Sequence, residues 1–138
     1  MYKNAPNEFA VALDLVSRSG IDLPAVMLTN LRIAAEARTL TILWNAKKEP
    51  VGYVSWAGAN KESVKMAIQY NILPSRLWEF REGSIAFVTN VLFTPQFKED
   101  AKAEFRKFIR SRRAVFFVKG AKKRLAVRTS KGFRFPQL

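Results

Sequence analysis

The 138-residue chain has no cysteine and no histidine. Without cysteine there is neither a disulfide framework nor a thiolate metal site. Without histidine, His-dependent triads, imidazole zinc sites and the commonest general base near neutral pH are all excluded. No uncharged apolar run reaches the roughly 18 residues that a membrane-spanning helix needs. The opening stretch MYKNAPNEFA has no basic segment leading into an apolar one, so no secretory signal is expected and the chain is expected in the cytoplasm. Acidic residues are also scarce at one end, where the last of them is Glu104.

That last scarcity organises the charge. Residues 1–104 carry 12 Lys/Arg against 11 Asp/Glu, whereas residues 105–138 carry 12 Lys/Arg and no acid, so nearly all of the net +13 lies in the final quarter. Such asymmetry points to a polyanionic partner: nucleic acid, an acidic protein or an anionic membrane. A solvated basic face with no dedicated ligand is the plain alternative. The candidate polyanion-binding residues are Lys119, Lys122, Lys123, Arg124 and Arg128.

What is present is apolar and aromatic. Half the residues are hydrophobic, 11 of them Phe, enough for the core of one domain spanning 1–138. In NEFAVALDLVSRSG, Phe9, Leu13 and Val16 fall at helical spacing, with Asn7 as cap and Gly20 as stop. DLPAVMLTNLRIAAEA predicts a second helix whose widely spread apolar residues imply a buried helix or an irregular one. TLTILW and VGYVSWA read as strands joined by a turn of about four residues, hence an antiparallel hairpin. NKESVKMAIQYNI predicts a helix capped by Asn60, with Val64, Ala67, Ile68 and Ile72 on one stripe. LPSRLWEFREG reads as a loop with a short helical turn. SIAFVTNVLF is nearly all apolar and so predicts a central strand covered on both faces.

TPQFKEDAKAEFRKFIRSRR is the clearest helix. Thr94 is its expected cap, Pro95 suits the first turn, and Phe97, Ala101, Phe105, Phe108 and Ile109 form one face. AVFFVKGAKKRLAVRT reads as two strands around Gly-Ala-Lys-Lys, and SKGFRFPQL has no usable period. The expected fold is α/β (α+β): a mostly antiparallel central sheet flanked by helices.

PVGYVSWA, Pro50 to Ala57, resembles the strand motif of the toxin-activating lysine acyltransferases, the hemolysin-activating type. The order that follows is similar too: a helix, the strand with Phe87-Val88-Thr89-Asn90-Val91, a Phe- and Lys-rich helix from Gln96, and a basic strand pair from Ala114 to Thr129. The resemblance implies an acetyltransferase-like fold and transfer of an acyl group from acyl carrier protein to a protein lysine. The family's catalytic His falls in the segment matching SRSGIDLP, where this chain has Ser19, Gly20, Ile21 and Asp22. The family's Asp falls at Thr89, with Asn90 beside it.

Asp22, Thr89 and Asn90 are therefore the candidate catalytic residues, with Glu36 a second candidate base. Ser55 and Trp56 are the candidate walls of an acyl channel. VGYVSWA and SIAFVTNVLF are the expected splayed strands. The FTPQ stretch lacks the glycine-rich turn that cradles a coenzyme A pyrophosphate, so no tightly bound cofactor is expected, and the expected donor is acyl carrier protein or an acyl thioester.

The alternative is an inactive acyltransferase-fold module that binds an acidic protein or nucleic acid. Interleaved Phe and Lys/Arg would suit single strands. Phe105, Phe108 and one of Phe116 and Phe117 are needed for the core, which leaves Phe133 and Phe135. Oligomeric state stays open, a dimer included.

Overall fold

The computed structural model describes residues 5–70, 83–119, 122–129 and 132–134, with the backbone alone at 5–7, 119, 122, 133 and 134. The element order is α1 (Ala5–Ser19), α2 (Ala25–Ala37), β1 (Leu40–Trp44), β2 (Pro50–Ala59), α3 (Lys61–Tyr70), β3 (Ile85–Phe93), a 3-10 turn (Pro95–Phe97), α4 (Lys98–Arg110), β4 (Ala114–Lys119), β5 (Lys122–Thr129) and β6 (Gly132–Arg134). The expected fold class is present: one six-stranded sheet in chain order, with helices on both faces. Val51–Ala57 and Ser84–Phe93 were expected as neighbouring central strands, and β2 and β3 do pair along their length.

All neighbours in the sheet are antiparallel except β3 and β4, which run parallel with α4 as the crossover between them. Side chains alternate across the sheet. Leu40, Ile42, Tyr53, Ala57, Phe87, Phe116 and Leu125 face α1, α2 and α3. Leu43, Val54, Trp56, Val88, Val91, Val115 and Phe117 face α4, where they meet Ala101, Phe105 and Phe108. Among the described residues no helix is long and apolar enough to cross a membrane.

Several local expectations change. Asn7 lies inside α1 and is not its cap, because helical backbone begins at Ala5. Gly20 does stop that helix, at φ +66°, a left-handed conformation that suits a residue without Cβ. The apolar breadth of α2 does not mean full burial: Val26 and Leu28 are exposed, and only Asn30 onward packs inward. Asn45 folds the β1–β2 turn by accepting from the backbone N–H of Lys47 and Glu49 at 3.0 and 2.9 Å. Asn60 caps α3 as expected, accepting from Ser63 N–H at 2.9 Å.

Thr94 does not cap α4. Its hydroxyl donates instead to the Val51 carbonyl at 3.0 Å and so ties the end of β3 to β2. The tail, which shows no period in sequence, supplies β6. Ile72 and most of the LPSRLWEFREG loop lie outside the described residues, as does Phe135; of Phe133 only the backbone is described.

Candidate functional site

β2 and β3 are not the splayed pair. They are bonded in register from Gly52–Phe93 to Ala59–Ile85, with a single irregularity between Ser55 and Trp56. The strands that diverge are the parallel ones. β3 and β4 are joined only at Ile85–Ala114, Ala86–Val115 and Phe87–Phe116. The Phe87 and Phe116 rings close that seam, with centroids 4.9 Å apart. The sequence misleads here because apolar content identifies central strands but carries no record of where two of them part.

Thr89 is the extra residue at the irregularity: Ser55 opposes Asn90 and Trp56 opposes Val88, which leaves Thr89 without a partner across the ladder. The bulge turns its hydroxyl back to β2, where it donates to the Ser55 carbonyl at 3.0 Å and to Ser55 Oγ at 3.1 Å. Asn90 Nδ2 donates to the Tyr53 hydroxyl at 3.0 Å. Ser55 and Tyr53 are fully buried, whereas Thr89 and Asn90 are half-buried. The structure thus joins three of the expected residues (Ser55, Thr89 and Asn90) in one polar row on the face that carries α1 and α2.

Tyr53 completes that row and escaped the sequence reading. The available signal was the alternation of a strand, which puts Tyr53 and Ser55 on one face. Burial pushes its phenol up to about 12, only partly opposed by the hydrogen bond from Asn90. The hydroxyl therefore stays protonated at physiological pH and keeps its own hydrogen to donate.

Trp56 sits on the opposite face from Ser55. Its Nε1 donates to Thr41 Oγ1 at 3.2 Å, and the Arg112 guanidinium lies over its ring at 4.2 Å from the centroid. The Phe108 ring is the second platform, 5.1 Å from the same guanidinium. Arg112 Nε is enclosed without a hydrogen-bond partner among the described residues. Burial depresses this Arg from its ordinary value. Nothing in the local sequence marks Arg112 out from its neighbours; only the packing of α4 on β2 selects it.

Asp22 is exposed in the α1–α2 connection, and no described contact joins it to Thr89 or Asn90. Ser19, just before it, has an enclosed hydroxyl without a partner among the described residues. It lines a cavity of about 180 Å³ beside Pro50 and Thr94, at the far end of β3. Glu36 is ion-paired to Arg32 on the exposed side of α2, at 2.8 Å.

The basic set divides. On β5, Arg124 and Arg128 share the α4 face by strand alternation, and Lys122 occupies that register position as well. Lys123 is a correction: it turns to the other face and donates to the Ile68 carbonyl in the last turn of α3 at 2.9 Å, so its ammonium serves a helix end. The side chains of Lys119 and Lys122 lie outside the described residues.

Among the described residues the ion pairs are Asp14–Arg18, Arg32–Glu36, Glu62–Lys65, Glu99–Lys102 and Glu104–Lys107, all before residue 108. Arg110, Arg113, Arg124 and Arg128 have no carboxylate partner there. No group of His, Cys, Asp and Glu able to hold a metal occurs among the described residues. No protein-family model matches the chain, and no curated protein matches it.

Proposed function

We propose that this chain is a divergent lysine acyltransferase of the toxin-activating type, which takes an acyl group from acyl carrier protein and passes it to a protein lysine. The observation that carries the reading is the parallel β3–β4 pair, bonded over three residues and then open, with Thr89 and Asn90 on β3 just beyond the last bonded pair. Thr94 N–H donates to the Val51 carbonyl, which sets the phase of the ladder: Asn90 and Leu92 bond β2, and Val91 and Phe93 turn their backbone groups toward the gap. Backbone donors in a gap between strands, without a partner among the described residues, suit an extended thioester arm.

In the reaction the lysine nitrogen attacks the thioester carbonyl, the C–N bond forms and the C–S bond breaks. The proton shed by the amine is taken up, through water, by the departing carrier thiolate. No imidazole is available, so orientation carries most of the acceleration. The arginines on α4 and β5 that have no carboxylate partner among the described residues suit the acidic surface of the carrier.

The test loads carrier protein with labelled acyl chains and looks for label on protein lysines. Label is expected with the wild type, with a loss of about tenfold or more in Thr89→Ala/Asn90→Ala. Its rate should rise with pH with no step of the kind a histidine gives. Full activity in the triple variant Asp22→Ala/Thr89→Ala/Asn90→Ala would overturn the site. Carrier binding without transfer would assign the second reading, an inactive binding module, which the lack of histidine favours.

A further inference from the structure

We infer that the open edge of β1 is a docking groove for an extended peptide, which adds to the sheet as a further strand and presents an acidic side chain to Arg112. β1 ends the strand order, and no described strand pairs with its outer side. The backbone phase follows from Trp56 N–H donating to the Thr39 carbonyl at 3.0 Å. Thr41 and Leu43 then bond β2, while Ile42 and Trp44 turn their backbone groups outward. Edges of this kind are normally blunted by charge or proline. The stretch LTILW has neither.

Two cavities flank this edge, one on each face. The first, about 370 Å³, lies between β1 and α1 and touches Leu40, Thr41, Ile42 and Trp44. The second, about 320 Å³, lies between β1 and α4 and touches Thr41, Ile42, Leu43 and Trp44. Side chains alternate along a strand, so a groove on one face alone would touch every second residue. Runs of consecutive residues mean that both cavities reach the edge itself. An added strand would send alternate side chains into the two cavities.

Charge fixes what those side chains are. Val11 and Ile42 line the α1 side together with Glu8 and Arg38, whose opposite charges offset one another, so an apolar residue suits that side. On the α4 side Glu104 is satisfied by Lys107 at 2.8 Å, while among the described residues Arg112 has no carboxylate partner and an orphaned Nε. An orphaned donor in an enclosed site is costly unless something meets it. The fitting segment is therefore apolar–acidic–apolar in extended form. It would lie roughly 14 Å, three strand spacings, from β3. It is thus an anchor for a partner protein, and it stands whether or not acyl transfer occurs.

The test uses the full ¹⁵N-labelled chain and three blocked pentapeptides: Thr-Val-Glu-Val-Thr, its Lys-centred counterpart, and the Glu-centred peptide N-methylated throughout. The Glu-centred peptide should shift the amides of Leu40 to Trp44 and the Arg112 Nε–H signal. The Lys-centred peptide should bind about tenfold more weakly, as expected for loss of a charge-assisted hydrogen bond. The N-methylated one should not bind. Arg112→Gln should erase the preference for Glu over Lys while the β1 amide shifts persist, which separates recognition from misfolding. Equal binding of the Glu and Lys peptides to the wild type would overturn the inference. So would shifts confined to β4 and β5, or no shift at about 1 mM peptide.

Discussion

The two halves of the sheet are stabilised differently. Strands β1 to β3 are bonded along their lengths, carry α1 and α2 on one face, and belong to a stretch whose charges cancel in short-range helical ion pairs. Strands β4 to β6 hang on three parallel residue pairs and carry cations with no acidic residue of their own. Exposed helical ion pairs contribute little energy. Their effect in the first half is to leave no net field, whereas the second half keeps one. Unbalanced charge in one half of a continuous sheet makes that half the more attractive to anions. The apolar seam around Phe87 and Phe116 holds the two halves together against the repulsion.

Five variants test this contrast. The largest effect is expected at the seam. Phe116→Ala removes a buried ring packed at a tilt against Phe87 and should cost about 4 kcal/mol. Denaturant unfolding followed by far-UV and near-UV signals should still give one transition; two transitions would show that the halves fold separately. Next is Gly52→Ala in the first half. A Cβ there would fall on the Leu92 carbonyl oxygen, so β2 and β3 must part, at about 2 kcal/mol by the same measurement.

A smaller effect comes from Tyr53. Its phenol is raised to about 12 in the folded chain, above the unfolded value near 10. Above pH 10 the unfolded state binds fewer protons than the folded one, so stability falls as pH rises. About 1 kcal/mol should be lost between pH 10 and 11, and Tyr53→Phe should lack that part of the loss. Parallel pH profiles of wild type and variant would refute the assignment.

The smallest effects on stability divide the basic residues. Lys123→Met should cost about 1 kcal/mol, because it strips the last turn of α3 of its donor. Arg124→Gln/Arg128→Gln should stay within about 0.5 kcal/mol of wild type. The same pair should weaken binding to a polyanion and flatten its salt slope by about two units. Equal stability losses from both changes would erase the distinction between engaged and free cations.

The elements and their order could be read from the chain alone. Period-2 and period-3.6 patterns are local, and β1 to β5 and the four helices follow them, with Gly20 and Asn60 ending and starting helices as their chemistry dictates. Charge position was legible too, since the absence of any acid after Glu104 needs no structure to see. Ser55, Thr89 and Asn90 could be singled out, but not what they touch. Only the tertiary structure decided that Thr89 is a bulge, that β3 and β4 are the strands that part, and that Trp56 carries Arg112 on the face away from Ser55. It alone turned Lys123 inward to α3, while its neighbour Arg124 has no carboxylate partner among the described residues. The physical reason is range. Propensity and periodicity act over one or two turns of chain, whereas register, strand divergence and the pairing of a cation with a distant ring or carbonyl are fixed by contacts between residues tens of positions apart.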